Sequence, residues 1–495
     1  MPLSKTKLKS TLPGRDWFEQ YRFLLKPTLI LSAIYLLAIS AVLRSNFYYI
    51  DDIARANAGY TEWEYYSRHI MVLAAYFLHG DTYLTDISPL PQLLAAVFMA
   101  LAGSISVHAL TGKKEFSLWY LIAAVPMGLS PYFLECFSYK YDSAVMGLSV
   151  LFAVFPLLYV CASEKKYILI TLLCTACMCM SYQASAGIFP VLVVLICYRR
   201  WLDGEAFGKT CRFALVSAAG YLSGMLLFRL GIMTAISTHA SSDMPALDAL
   251  LPSMIQTYKT FLKHYLTDCK VEWHLFIVVL GCCFLYASCR TSLRPKAAAL
   301  VLGVPVLLII AALSLGVYPF LAGPTFYPRS MYGIGCTVAF FTILTLSRLP
   351  RLVPAKIACF LLSWAFFSFA FTYGNALYMQ SQYTDHRIMT TIDDLTESGI
   401  LEEPGEKSLR VTGTIGYAPA IRNMPQDYQI LNRLVPETFA GGDDLTQYRF
   451  YCYYDLRNVV KDDSIDLREM DLPVLKDTMY HRILGEGNYI LIELK

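Results

Sequence analysis

Charged side chains are scarce in this sequence: only 16% of its 495 residues are charged, whereas 56% are hydrophobic. The mean hydropathy is +0.46. Soluble globular proteins contain about 25% charged residues, so this composition argues against a water-soluble enzyme and excludes an intrinsically disordered chain. The net charge of +3 is too small to indicate a nucleic-acid-binding protein.

Motifs for soluble cofactors are also missing. The sequence contains neither a Walker loop nor the glycine fingerprint of a Rossmann fold, so we expect no use of ATP or of a cytosolic nucleotide sugar. Most of the 14 cysteines lie in apolar runs without a nearby His or carboxylate, which indicates buried hydrophobic residues and no disulfide framework. His69 and His79 do not have the spacing of a metal-binding pair on a helix. We therefore predict no cofactor and no metal.

The charges that are present divide the chain into two parts. Residues 375–495 contain 12 Lys and Arg against 20 Asp and Glu, whereas residues 1–374 contain 29 against 18. A basic, hydrophobic body is followed by an acidic, polar tail. We predict a transmembrane body over residues 1–375 and a separate domain over residues 376–495.

Apolar runs in the body predict membrane spans, because a helix crosses a bilayer in about 20 apolar residues. The eleven candidate segments are 27–44, 87–110, 116–130, 144–161, 168–182, 184–198, 213–235, 273–289, 297–314, 330–347 and 357–375. The N-terminus lacks the features of a removed signal peptide, so we expect the first span to be an anchor. Alternate loops contain 20 basic residues on the side of the N-terminus and about seven on the other side. The positive-inside rule then predicts a cytoplasmic N-terminus and an extracytoplasmic tail.

The tail has the pattern of a small α/β domain. β-branched and aromatic residues predict strands at 408–415, 448–454 and 487–494, and apolar residues at helical spacing predict a helix at 388–400. The predicted fold is thus an all-α polytopic membrane protein with about 11 transmembrane helices and a small C-terminal extracytoplasmic α/β domain.

The loop 45–86, which follows the first span, contains the sharpest site pattern. Asp51 and Asp52 lie there among aromatic residues, and a helix that begins at Asp52 would place Arg55 beside both acids. One interpretation is an ordinary helix cap with a surface ion pair. The other is a catalytic loop in which one Asp is the general base for a hydroxyl and Arg55 binds a phosphate; which Asp is the base stays open. The candidates for stacking on a sugar are Tyr60 and Trp63.

Two further segments place charges near the membrane surface. The turn SPYFLECFSYKYDS, residues 130–143, contains Glu135, Lys140 and Asp142, and Arg329 lies at the outer end of the tenth apolar segment. Charged residues at membrane depth are costly and are usually paired or functional. An ion pair within the turn and anchoring of Arg329 among headgroups are alternatives to phosphate binding.

Arg68 and His69 open the weakly apolar stretch HIMVLAAYFLHG. It is too short to span a bilayer, so we predict an interfacial helix.

The segments IDDIARANAGY and SRH after the first span, SPYFLECFSYKYDS after the third and an extracytoplasmic tail resemble the bacterial serotype-converting O-antigen glucosyltransferases, the Gtr type II family. The resemblance covers most of the membrane body and is weak in the tail. That family is similar to the GT-C superfamily in its general plan, with many spans and a catalytic acid in the first outer loop. The resemblance implies that the loop acids correspond to Asp51 and Asp52. It implies substrate-binding roles for Arg55, Arg68, Glu135, Lys140 and Asp142.

The resemblance further implies a hexosyltransferase of the bacterial inner membrane. Its donor would be a polyprenyl-phosphate-linked glucose, and its acceptor a lipid-linked surface polysaccharide or O-antigen. The partners would be a donor-making glycosyltransferase, a donor flippase and membrane lipids, with no nucleic acid. A glycosyl phosphate already contains the energy for transfer, which agrees with the missing nucleotide motifs. The alternatives are a flippase or transporter of a polysaccharide precursor, and a scaffold without activity.

Overall fold

The computed structural model describes residues 19–233, 243–437, 456, 459–461 and 466–495. From Leu25 onward, the α-helices of the body are α1 (Leu25–Ser45), α2 (Asp52–Ala58), α3 (His69–His79), α4 (Leu90–Thr111), α5 (Leu118–Leu129), α6 (Pro131–Ser138), α7 (Ser143–Val154), α8 (Glu164–Ser181), α9 (Ile188–Leu202), α10 (Phe207–Leu227), α11 (Leu247–Asp268), α12 (Val271–Thr291), α13 (Lys296–Leu313), α14 (Gly333–Arg348) and α15 (Val353–Glu397).

Seven helical segments within the described residues are long and apolar enough to cross a membrane. The number becomes eight if α5 and α6, which are bent by 59° against each other, form one broken span. Each of the eleven predicted segments overlaps a helix, but several of these helices are short, such as α14 with 16 residues. The chain is a mostly helical, multi-pass membrane protein, and the predicted number of 11 spans is not confirmed.

Small residues allow the central helices to approach closely. α1 packs against α4 and α15, and α4 packs against α7. A Cβ atom added at Gly374 of α15 would overlap the backbone of Ala41 and Val42 in α1. Hydrophobic burial does not drive helices together in lipid, so close van der Waals packing of this kind stabilises the bundle. α1 and α4, which precede and follow the 45–86 loop in the chain, also pack against each other, so the two ends of the loop are held together.

The longest helix joins the membrane body to the tail. α15 runs without a break from Val353 to Glu397, so position 375/376, where the sequence suggests a boundary, lies inside a helix. Ile388 and Leu395 near its C-terminal end are fully buried against the sheet of the tail. A continuous helix transmits orientation, so the tail has a defined direction relative to the last span.

The tail contains a five-stranded sheet. Its strands are β1 (Lys407–Thr412), β2 (Val459–Lys461), β3 (Val474–Asp477), β4 (His481–Glu486) and β5 (Tyr489–Leu494). The order is β2-β1-β5-β4-β3, with β1 parallel to β2 and β5 and the β3–β4–β5 strands antiparallel. Two predicted strands agree with β1 and β5, and the predicted helix at 388–400 agrees with the end of α15. The predicted strand at 448–454 lies outside the described residues.

Between β1 and β2 the chain returns to the membrane body. This return segment, residues 417–437, contains the short helices α16 (Met424–Asp427) and α17 (Leu431–Leu434). Its apolar residues Ile421, Ile430 and Leu434 belong to the same buried core as the helices of the body. The tail therefore contacts the body in two ways, through α15 and through the return segment.

The α1–α15 contact leads to a test of packing. We expect Gly374→Ala to lower the free energy of unfolding by about 1–3 kcal/mol, because the added methyl group overlaps backbone atoms that cannot rotate away. Thermal unfolding in detergent measures the effect. Gly208→Ala in α10 is the matched control, since no atom lies within 4 Å of the position that its methyl group would take. Equal stability of the two variants would contradict the close approach.

Candidate active site at the 45–86 loop

The carboxylate of Asp52 joins the 45–86 loop to the turn after α6. Its Oδ2 atom accepts hydrogen bonds from the backbone N–H groups of Tyr49 and Lys140, each at 3.0 Å. The side chain is fully buried, and its Oδ1 atom has no hydrogen-bond partner among the described residues. Burial raises the pKa of Asp52 well above its ordinary value, and the neighbouring Asp51 carboxylate raises this pKa further. The two segments that the sequence singled out are thus in direct contact.

Asp51 presents the more exposed carboxylate. Its side chain is 27% exposed, and its Oδ2 atom lies 3.0 Å from Nη2 of Arg55. α2 begins at Asp52, as the sequence predicts, and brings these two side chains together one turn apart. Arg55 is itself buried: its Nη1 donates to the carbonyl oxygen of Thr61 at 2.5 Å, and its guanidinium lies 4.5 Å from the centre of the Trp63 ring. The Tyr60 ring lies 5.2 Å from the same guanidinium.

Asp142 extends this charged group. It is buried, and its Oδ1 atom has no hydrogen-bond partner among the described residues. Burial raises the pKa of Asp142, the positive charge of Arg55 opposes this rise, and the negative charge of Asp51 adds to it. The positive charge of Arg68 also tends to lower the pKa of Asp142. We call Asp51, Asp52 and Asp142 the acid cluster. Arg55 and Arg68 of the 45–86 loop are the positive charges that act on it.

Lys140 is paired inside the protein. Its Nζ donates to Oδ2 of Asp86 at 2.8 Å and to Oδ1 of Asn46 at 2.7 Å, and it lies 3.7 Å from the centre of the Tyr48 ring. Burial tends to raise the pKa of Asp86, but the hydrogen bonds from Lys140, Ser88 and Tyr48 and the positive charge of Lys140 together outweigh it, so the net pKa is lowered. The ion pair within the 130–143 turn that the sequence allowed is replaced by one that reaches back to the 45–86 loop.

Glu135 and Arg329 form a second buried ion pair. Oε1 of Glu135 lies 2.5 Å from Nη1 of Arg329, and Oε2 accepts the backbone N–H of Arg329 at 2.5 Å. Glu135 is only 1% exposed, and the guanidinium is covered by the Tyr327 ring at 4.3 Å. This bidentate contact fixes the loop before α14 to α6, so Arg329 is more than a headgroup anchor.

Arg68 has a different environment. Its guanidinium lies between the rings of Tyr66, at 5.2 Å, and Tyr182, at 4.8 Å. Its buried Nε atom has no hydrogen-bond partner among the described residues. A cation that is stacked but has a free donor is suited to an anionic ligand.

A large apolar cavity opens beside Arg68. Its volume is about 910 Å³, and it is lined by α8, α9, α10 and residues 313–325, with Arg68 and Arg229 among its polar residues. Most of the lining is aliphatic or aromatic. The cavity therefore has room for a long hydrocarbon chain, and Arg68 connects it with the acid cluster.

The structure brings most of the predicted site residues together. The rings of Tyr60 and Trp63 each lie against Arg55, which is paired with Asp51. Lys140 and Arg329 are each bound to another carboxylate. Sequence reasoning missed Asn46 and Asp86, because both lie far from their partner Lys140 in the chain and no spacing pattern links them to it. It missed the role of Tyr49 because the contact with Asp52 is made by a backbone N–H group, which no residue pattern indicates. It also missed the cavity, which is built from helices that look alike in sequence. Among the described residues, no group of three or more His, Cys, Asp or Glu side chains is arranged to bind a metal ion.

Comparisons with known proteins identify the family of this chain. The family described as glucosyl transferase GtrII matches residues 40–342, which is more than half of the chain and includes the whole acid cluster, Arg68 and Arg329. A protein of Salmonella phage P22, described as an uncharacterized 55.3 kDa protein in the gtrB 5′ region, is 23% identical over 410 residues. That alignment covers 79% of this chain and 82% of the phage protein. No solved structure matches the chain. The chain belongs to the GtrII glucosyl transferase family.

Proposed function

We propose that this protein transfers a glucosyl residue from a polyprenyl-phosphate donor to a lipid-linked surface polysaccharide or O-antigen. Membership of the GtrII family makes it a glycosyltransferase of O-antigen modification; the donor, the acceptor and the residue roles are our proposal. The observation that carries the proposal is that Arg68 lines the apolar cavity and that its charge also acts on Asp142 of the acid cluster. An apolar cavity, a cation and a group of carboxylates suit a substrate that contains, in the same order, a hydrocarbon chain, a phosphate and a sugar.

The cavity supports a lipid-linked donor. Burying a hydrocarbon chain contributes about 0.8 kcal/mol for each CH₂ group that leaves water, and a cavity of about 910 Å³ accepts many of them. The cavity is lined by the apolar helices α9 and α10, and the proposal is that the lipid chain enters it from the bilayer. A soluble nucleotide sugar would make no use of such an apolar lining.

Arg68 is the best anchor for the donor phosphate. Arg55, Lys140 and Arg329 are each bound to a carboxylate, at 3.0, 2.8 and 2.5 Å respectively. Removing one partner of a buried ion pair costs about 3–5 kcal/mol, so these three cations are poor candidates for a ligand that comes and goes. They position the loops, whereas Arg68 has a donor to spare and lines the cavity.

Asp51 is the better candidate for the general base. A base must be deprotonated and must reach the acceptor hydroxyl. Asp52 is fully buried and its pKa is raised, so it is suited to positioning the loop. Asp51 is 27% exposed, so its carboxylate can reach an acceptor hydroxyl, and the ion pair with Arg55 at 3.0 Å holds it in place.

The proposed reaction is a single displacement. The oxygen of the acceptor hydroxyl attacks the anomeric carbon while its proton passes to the Asp51 carboxylate. The bond from that carbon to the phosphate oxygen breaks, and its electron pair leaves with the lipid phosphate, whose charge Arg68 stabilises. Attack opposite the leaving group inverts the anomeric centre.

We place the reaction at the outer face of the bacterial inner membrane, with the N-terminus in the cytoplasm. The 45–86 loop and the tail then face the same side. The donor would have to be made on the cytoplasmic side and flipped by partner proteins. Family membership gives no support to the alternative in which this chain is itself the flippase.

Substitution of the two adjacent acids tests the assignment of the base. We expect Asp51→Asn to lower kcat at least about 100-fold, because a general base typically contributes a factor of 10²–10⁴. Asp52→Asn should lower kcat far less, since an amide oxygen can still accept the two backbone hydrogen bonds. Sugar transfer in membrane vesicles measures both, with insertion checked by immunoblot. Normal transfer by Asp51→Asn would refute this role of Asp51.

The pH dependence of stability tests the environment of Asp52. The pKa of Asp52 in the folded protein lies well above its ordinary value of 3.8. The stability that the protonated side chain contributes is therefore fully present below the ordinary pKa, and it is lost as the pH rises through the folded-state pKa. Asp52→Asn cannot titrate and should flatten this decline. Thermal unfolding from pH 4 upward compares the variant with the wild type. An unchanged decline would show that Asp52 is not buried as described.

Arg68 can be tested through donor binding. We expect Arg68→Gln to raise the donor KM about tenfold or more, because a hydrogen bond to a charged group contributes about 1.5–3 kcal/mol. The KM for the acceptor should change little. Arg212→Gln is the matched control, since Arg212 forms an exposed ion pair with Glu164 away from the cavity. A donor KM that the control changes as much as Arg68→Gln does would exclude a specific phosphate contact.

A further inference from the structure

The return segment 417–437 of the tail packs onto the membrane body beside the acid cluster. The Tyr428 ring lies 5.1 Å from that of Phe369 and 6.0 Å from that of Trp273, and Nζ of Lys270 lies 4.1 Å from its centre. Phe369 belongs to α15, Trp273 to the start of α12, and Lys270 directly precedes α12. Tyr428 therefore anchors the segment to two helices of the body.

Arg433 adds a polar anchor. Its guanidinium is bound to the carboxylate of Asp268 and to the carbonyl oxygen of Phe326. Asp268, at the end of α11, is only 2% exposed, and Phe326 lies three residues before Arg329. Removal of Arg433 would leave a buried carboxylate without its ion-pair partner, so the contact is costly to break.

The next residue connects the segment to the loop acids. The carbonyl oxygen of Leu434 accepts hydrogen bonds from the phenol groups of Tyr49, at 2.9 Å, and Tyr373, at 3.3 Å. The backbone N–H of the same Tyr49 donates to Asp52 at 3.0 Å. Tyr49 thus joins the tail to the acid cluster, and it is 1% exposed.

We propose that the return segment positions the catalytic loop, with Arg433 as its anchor and Tyr49 as the positioning residue between Leu434 and Asp52. The proposal rests on the proposed function of the acid cluster. Neither Tyr49 nor Arg433 lines the apolar cavity. The tail therefore acts on the orientation of the base, and displacement of a reacting group by about 1 Å can cost a factor of about 100 in rate.

Kinetics of Tyr49→Phe and Arg433→Ala test this role. Tyr49→Phe removes only the hydroxyl group that contacts Leu434. We expect it to lower kcat about tenfold while the donor KM stays within twofold of the wild type. Arg433→Ala should lower kcat as well, and the double variant should be no slower than the slower single variant, because both changes break the same connection.

The matched control is Lys476→Ala. Lys476 forms surface ion pairs with Asp394 and Glu397, which belong to α15 and not to the return segment. The kcat of Lys476→Ala should equal that of the wild type. Thermal unfolding of every variant is measured in parallel, and if Arg433→Ala does not fold, Tyr49→Phe decides the question alone.

The outcomes separate the two proposals. If Asp51→Asn abolishes transfer but Tyr49→Phe and Arg433→Ala keep full kcat, the positioning role is wrong and the proposed function stands. If Lys476→Ala lowers kcat as much as they do, the positioning role is wrong too. If Asp51→Asn transfers sugar normally, the proposed function fails first. Additive losses in the double variant would show that Tyr49 and Arg433 act separately and would overturn the connection.

Discussion

One buried carboxylate determines the geometry on which the candidate site depends. Asp52 lies at the start of a helix of seven residues and accepts backbone hydrogen bonds from its own loop and from Lys140, 88 residues away in the chain. Backbone donors cannot rotate away as side chains can, so the two segments are fixed relative to each other. Asp51 is the neighbour of Asp52 in the chain, so this contact also determines the position of Asp51. The catalytic assignment therefore rests on a residue that need not touch the substrate.

The cations around this carboxylate divide into two groups. Arg55, Lys140 and Arg329 are bound to carboxylates and stacked on aromatic rings, so their charges are compensated within the protein. Arg68 is stacked as well but retains a free donor beside the cavity. A site that must bind and release a phosphate needs one accessible cation on a rigid frame, and buried ion pairs build such a frame at the expense of desolvation.

The body and the tail are two parts by composition, yet they form one packed structure. The difference in charge divides the sequence into an apolar part and a polar part. α15 nevertheless crosses from one part to the other, and the return segment buries its apolar residues in the core of the body. The polar part is therefore not attached by a flexible linker, and its position is coupled to the loop acids through Tyr49.

The sequence by itself determined the helical membrane body, two strands of the tail, the short helix at Asp52 and the family. Each of these depends on local pattern: apolar length, alternation, or the spacing of Asp51 and Arg55 on one helix turn. Only the tertiary structure decided which cations are free, which of the two acids is exposed, and where the cavity and the return segment lie. Those features depend on contacts such as Lys140 with Asp86 or Arg433 with Asp268, between residues far apart in the chain. Local periodicity contains no information about such pairs, because they form only when the helices have packed.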